Sequence, residues 1–130
     1  GCHTMVNFVR PDIALLPTQM GGEGGNWIGL APFTDTKHIF QNIGDGTYYH
    51  SGLLAIRSAV AAKVNITYKI LYNDAVAMTG GQPVDGPISV SDIAYQVRAE
   101  GVGHIVILSD DPSRHDKSQM PEGVVIGHAG

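Results

Sequence analysis

Thiols are almost missing from this sequence. Cys2 is the only cysteine among 130 residues, which excludes an internal disulfide framework and any centre that needs several thiolates, such as structural zinc or an iron–sulfur cluster. Positive charge is scarce too: eight Lys and Arg stand against twelve Asp and Glu, for a formal charge of −4. No basic cluster exists to follow a phosphodiester backbone, so neither nucleic acid nor an anionic membrane surface is an expected partner. No apolar run approaches the length of a bilayer span, and Gly1-Cys2-His3-Thr4-Met5 lacks the basic-then-apolar order of a signal peptide. A cytoplasmic chain is the expectation.

Several catalytic motifs are also missing. A dinucleotide fingerprint built on Gly44-Asp45-Gly46 or Gly22-Glu23-Gly24 would need a third glycine where Tyr49 or Trp27 stands. There is no Gly-Lys dipeptide for a phosphate-binding P-loop, no His-Glu-x-x-His and no Gly-x-Ser-x-Gly, which removes the zinc-protease and serine-hydrolase readings. Glycine itself is plentiful. Its 17 residues are about 13% of the chain, against about 7% in ordinary proteins. The length fits a single domain over residues 1–130. Since the chain starts without Met and ends without a capping pattern, we expect a piece of something larger.

The apolar pattern alternates between strand and helix. Residues 38–43, rich in β-branched and aromatic side chains, predict a strand that stops at Gly44-Asp45-Gly46. Leu53, Ile56, Val60 and Val64 then recur at helical spacing, and 66–72 again reads as a strand. Strand, helix, strand implies a parallel pair. A second helix is expected after a Ser89 or Ser91 cap, with Ile93 and Val97 on one face and Gly101 as terminator, followed by a strand over 104–108. Near the start, a strand at 14–16 and a short helix at 26–30 are expected. The fold class is therefore α/β, an open and mostly parallel sheet with helices on both faces.

Open α/β sheets bind ligands beyond the carboxyl ends of their strands. Here one such loop carries Asp45 and the other Asn73. Neighbouring strands lie about 4.8 Å apart, so the two oxygen side chains can meet on one hard cation. Mg²⁺ takes one or two carboxylates together with waters and the phosphates of a cofactor, and the two residues supply part of that set. The start of the helix after Gly46 attracts an anion, and Thr79-Gly80-Gly81-Gln82 offers a hydroxyl, backbone N–H groups and an amide. A diphosphate cofactor held by Mg²⁺ accounts for both loops.

Gly44-Asp45-Gly46, then 26 residues, then Asn73 resembles the thiamin diphosphate signature. The run Asn73-Asp74-Ala75-Val76-Ala77-Met78-Thr79-Gly80-Gly81-Gln82 resembles the 2-oxoacid:ferredoxin oxidoreductase family, above all its long, fused indolepyruvate ferredoxin oxidoreductases. The likeness extends over Gln19-Met20-Gly21-Gly22-Glu23-Gly24, Asn26-Trp27-Ile28-Gly29, residues 41–52 and residues 65–87. It implies a thiamin diphosphate-binding fold in which Asp45, the Asn73 side-chain oxygen and the Ala75 carbonyl ligate Mg²⁺. It further implies that Gly44, Gly46, Met78, Thr79, Gly80, Gly81 and Gln82 line the cofactor. The implied reaction is oxidative decarboxylation of an arylpyruvate to an acyl-coenzyme A, with ferredoxin as electron acceptor. In this family the glutamate that activates the aminopyrimidine comes from another domain, and iron–sulfur clusters sit elsewhere in the full enzyme. Glu23, Glu100 and Glu122, the only glutamates, do not match that activating role, so the chain is expected to be half of an active site, inactive alone.

Plainer readings stand beside these. Asp45 in Gly-Asp-Gly is, taken alone, an ordinary turn residue. His50, about one turn into the helix, is placed as a catalytic contact to substrate or cofactor, with an exposed structural histidine as its equal. Glu23 either points into the crevice or satisfies nearby N–H groups. Met78 as a core filler, Cys2-His3 as incidental, His104, Tyr68 and Tyr72 as packing residues on strands, and 110–117 as a solvated loop complete the list of bland assignments. A non-oxidative thiamin-dependent 2-oxoacid decarboxylase and a cofactor-free scaffold of the same fold are the rival functions. The crevice face is a candidate homodimer surface.

Overall fold

The computed structural model of the chain describes residues 2–14, 17–73, 75, 76, 80–83, 86 and 88–130. Two compact units are formed, Gly1–Pro87 and Ile88–Gly130. The architecture is α/β, as the strand and helix pattern predicts.

In the first unit, strand β1 (Ile39–Gly44) lies parallel to β2 (Ile66–Leu71), in register from Ile39 opposite Ile66 to Gly44 opposite Leu71. Between them the chain is helical almost throughout. A single α turn (Asp45–Thr47) passes into a π turn (Tyr48–Gly52) and then a regular helix (Leu53–Ala62). The sequence pattern places Leu53 and Val60 on the packed face, but the buried residues are Gly52, Ala55, Ile56 and Ala59. Close packing is the reason. A methyl group on Gly52 would overlap the Ile43 Cδ1 and sit 3.2 Å from the Thr47 carbonyl oxygen, so the π turn closes on β1 at a residue with no side chain. Ile43 and Tyr48 are each 1% exposed and form the centre of that contact region.

Ahead of β1, a 3₁₀ turn (Cys2–Met5) and a helical turn (Val6–Val9) precede a short helix (Gly25–Leu30). That helix starts at Gly24, whose φ of 86° puts it in the left-handed region where glycine is favoured. A side chain there would also overlap the Tyr68 hydroxyl. Trp27, 2% exposed, donates its indole N–H to the Asn65 carbonyl at 3.0 Å, tying this helix to the start of β2. Of the strand expected at 14–16, residues 15 and 16 lie outside the described residues. After β2, strands β3 (Ala75–Val76) and β4 (Gln82–Pro83) pair antiparallel, a short hairpin that the periodicity did not anticipate.

In the second unit, the longest helix (Val90–Ala99) has Ser89 as its N-cap. The Ser89 Oγ accepts from the Asp92 N–H at 3.1 Å while the Asp92 carboxylate accepts from the Ser89 N–H at 2.9 Å, a reciprocal capping box. Ser89, not Ser91, is therefore the cap. Gly101, with φ 98°, ends the helix. Strand β5 (Val106–Ser109) pairs parallel with β6 (Val125–His128), and Ala94, Met120 and Val124 form a small core with Ile105, Ile107 and Ile126 against it. Arg98 fastens the helix end by donating to the carbonyls of Val102, Gly103 and Glu122. His104 precedes β5 and is exposed rather than packed within a strand. No helix among the described residues is long and apolar enough to cross a membrane.

Candidate functional site

The register of β1 against β2 decides where the chemistry-bearing residues fall. Gly44 and Leu71 are partners at the carboxyl ends of the two strands, so Asp45 follows one strand directly and Asn73 follows the other after Tyr72. The Asp45 side chain is 3% exposed. Its Oδ1 accepts from the Gly46 N–H at 2.9 Å, and its Oδ2 accepts from the Asn73 N–H, also at 2.9 Å. A carboxylate that would be costly to bury alone is thus held by backbone donors, and those bonds join the two strand ends. As the first residue of its helical turn, Asp45 also complements the positive end of the helix dipole.

The surroundings suit a cation and an anion together. Ala75 opens β3, and β3 lies against the Asp45–Thr47 turn. Gly44 faces open space: a Cβ built there meets no other atom within 4 Å. At the hairpin end, Gly80 and Gly81 have φ of 113° and 80°. Both conformations favour glycine, and they bring Gln82 into β4. Met78 and Thr79, expected to line the same pocket, lie outside the described residues. A buried carboxylate and a backbone with room beside it fit Mg²⁺ and a diphosphate in donor chemistry. Among the described residues, no group of three or more His, Cys, Asp or Glu side chains could hold a metal ion, so a metal here would draw on amide, carbonyl and phosphate oxygens beyond Asp45.

The π turn that follows carries His50 and Ser51. His50 is exposed, and its Nδ1 is 2.6 Å from the Ser51 Oγ. Two glycine-containing segments press on this turn. Gly21 (φ 97°) abuts the Ser51 Oγ, and Gly86 (φ 115°) abuts the Tyr49 hydroxyl; a Cβ on either would overlap its neighbour. Glu23, 8% exposed, has its Oε2 accepting from the Gly21 N–H at 2.6 Å. Its contact is thus to the backbone of its own turn, the plainer of the two expectations. The Tyr68 hydroxyl donates to the Glu23 carbonyl at 2.9 Å, with the Ala55 carbonyl farther away at 3.4 Å. Burial, with the negative charge of Glu23 adding to it, pushes the Tyr68 phenol up to about 12. Tyr68 is a packing residue on β2, as expected; Tyr72 falls beyond the strand and is 40% exposed.

The Ser51 contact and the π turn are what sequence reasoning missed. The run Tyr48-Tyr49-His50-Ser51-Gly52 was the available signal, since aromatic and small residues interrupt the helical apolar spacing there.

The profile of the family described as "Thiamine pyrophosphate enzyme, C-terminal TPP binding domain" matches residues 1–113. The chain belongs to that family. Similar relatives bear the name indolepyruvate oxidoreductase subunit IorA. The one from Methanothermobacter thermautotrophicus is 35% identical over 113 residues, covering 78% of this chain and 18% of that protein. The one from Thermococcus kodakarensis is 44% identical over 127 residues, covering 78% of this chain and 19% of that protein. The Pyrococcus abyssi relative is 42% identical over 101 residues, 66% of this chain and 15% of its own length. No solved structure matches significantly. The chain spans less than a fifth of the length of these relatives. The resemblance carried by Gly44-Asp45-Gly46 and residues 73–82 is borne out at the level of family.

Proposed function

We propose that this chain holds the Mg²⁺-diphosphate end of thiamin diphosphate in an enzyme that oxidatively decarboxylates indolepyruvate or a related arylpyruvate. The observation that carries it is the junction of Asp45 and Asn73 across the ends of two parallel strands. In this reading the Asp45 carboxylate, the Asn73 side-chain oxygen and the Ala75 carbonyl hold Mg²⁺. Gly44, Gly46 and the segment Met78-Thr79-Gly80-Gly81-Gln82 lie along the diphosphate and the ring beyond it. His50 is the catalytic contact to substrate or cofactor. When bound, the cofactor supplies the carbanion chemistry that decarboxylation requires, and the protein binds, orients and shields it. IorA relatives of about five times the length support further domains beside this one; in this reading those domains carry the iron–sulfur clusters, ferredoxin is the electron acceptor and coenzyme A the acyl acceptor.

The test is calorimetric titration of thiamin diphosphate into the full-length protein, with and without Mg²⁺. Binding that needs Mg²⁺ and is lost in Asp45→Asn is the expected result. Equal affinity in the two proteins leaves the chain as a scaffold of the same fold. Turnover of the 2-oxoacid that proceeds without ferredoxin identifies a non-oxidative decarboxylase instead.

A further inference from the structure

The hairpin of β3 and β4 is too small to hold itself. Its ladder has two register pairs, Ala75 with Pro83 and Val76 with Gln82, and an isolated two-stranded hairpin is at best marginally stable in water. Contacts outside the ladder must therefore set where Gly80, Gly81 and Gln82 lie. The incoming strand β3 rests on the Asp45–Thr47 turn. The outgoing strand leads within three residues to Gly86, a reach of at most about 11 Å beyond Pro83, and Gly86 sits on the Tyr49 phenol. Its φ is 115°, and a Cβ built on it would overlap both the phenol oxygen and the Cζ that bears it. By conformation and by space alike, the contact admits only glycine.

Tyr49 can hold Gly86 because its own base is fixed. It lies in the π turn Tyr48–Gly52, whose Tyr48 and Gly52 are buried, and Gly52 closes on Ile43 of β1. Such turns recur at functional positions. Tyr49 itself is 45% exposed, so its ring projects from this base instead of filling the core. The same helical segment begins with Asp45, four residues earlier, which ties the support of the hairpin to the carboxylate at the strand ends. We propose that Tyr49 is a positioning residue: with Gly86 seated on its ring, it holds the outgoing strand of the hairpin where Gly80, Gly81 and Gln82 meet the cofactor. This rests on the reading of the hairpin as part of the thiamin diphosphate site, and adds what keeps it there.

The test uses the full-length protein and two readouts: amide hydrogen exchange without cofactor, and calorimetric titration of thiamin diphosphate in the presence of Mg²⁺. Tyr49→Ala should speed exchange in the peptide that carries Ala75, Gln82 and Gly86 and leave β1 and β2 as protected as before. If the hairpin is then seated a tenth of the time, the apparent Kd for thiamin diphosphate rises about tenfold. Tyr49→Phe, which keeps the ring under Gly86, should restore both readouts. Gly86→Ala should act as Tyr49→Ala does, and the double variant should lose less affinity than the product of the two single losses. Should Tyr49→Ala also expose β1 and β2, Gly86→Ala decides by the same two readouts. Unchanged exchange, faster exchange with unaltered affinity, or a Tyr49→Phe protein as impaired as Tyr49→Ala each overturns the proposal. Lost affinity without faster exchange overturns it too, since Tyr49 would then touch the cofactor itself. Failure of the cofactor reading shows itself separately, as absent thiamin diphosphate binding in the unsubstituted protein, and the exchange readout still decides whether Tyr49 seats the hairpin.

Discussion

Replacing Asp45 by alanine should loosen the junction between the two strand ends, and the size of the effect follows from what the carboxylate holds. It is 3% exposed and accepts two backbone N–H bonds of 2.9 Å, from Gly46 and from Asn73. Hydrogen bonds to a charged group contribute about 1.5–3 kcal/mol each, and a buried donor left without an acceptor loses much of that. Water entering the vacated space recovers part. The expected loss is about 2–4 kcal/mol, a large share of the roughly 5–15 kcal/mol that keeps a domain folded. Asp45→Asn retains one acceptor oxygen but turns an amide NH₂ towards one of the two donors, so about 1–2 kcal/mol should be lost. Urea unfolding followed by Trp27 fluorescence is a suitable assay, because the sole tryptophan is buried in the same unit and bonded to Asn65. The midpoint should fall with the slope unchanged. Asp45→Ala within about 0.5 kcal/mol of the parent would refute the claim that this carboxylate joins β1 to β2.

Three other substitutions probe the frame around the site. Gly52→Ala gains about 1 kcal/mol of helix propensity but forces a methyl into Ile43 and the Thr47 carbonyl. Overpacking costs about 1–3 kcal/mol, so the melting temperature should fall, and a rise would disprove the close approach. Tyr68→Phe should remove a component near 12 from a phenolate absorbance titration. Because that value lies above the ordinary 10, the phenol's contribution to stability is full below pH 10 and fades as pH rises through about 12; a curve unchanged by the substitution would contradict the burial of this hydroxyl. Ser89→Ala removes the cap of the Val90–Ala99 helix and should cost about 1 kcal/mol at neutral pH. The Ser89 hydroxyl and N–H hold the Asp92 carboxyl below the usual range. That stabilisation is present above the ordinary carboxylate value and lost as pH falls through the lower one, so the gap between parent and variant should narrow in acid to what the Ser89 Oγ bond to the Asp92 N–H contributes, and a pH-independent gap would count against the capping box.

Much of the frame was legible because local and long-range preferences agree. The β-branched run before Gly44, the helical spacing up to Val64 and the second strand at 66–72 all describe one parallel unit, and β1, its helix and β2 appear where those signals lie. Ser89 and Gly101 likewise carry conformational signals that need no tertiary partner. The rest depended on contacts that periodicity does not encode. Gly52 lets the π turn close on Ile43 of β1, and the residues that Leu53–Ala62 buries are Ala55, Ile56 and Ala59, so the larger Leu53 and Val60 are only partly covered. β6 escaped because its four residues include Gly127, although Val124, Val125 and Ile126 after Gly123 were a fair signal for it. At the site, spacing and resemblance identified Asp45 and Asn73. What no spacing rule conveys is that the Asn73 backbone N–H bonds the Asp45 carboxylate, or that Gly21 comes to rest on Ser51.

The central claim concerns a single set of oxygens, and a crystal structure of the full-length protein with thiamin diphosphate and Mg²⁺ tests it most directly. The account predicts a metal about 2.0–2.1 Å from an Asp45 carboxylate oxygen, the Asn73 side-chain oxygen and the Ala75 carbonyl, with diphosphate oxygens filling further positions. A metal bound elsewhere, or a diphosphate seated away from the ends of β1 and β2, would contradict it.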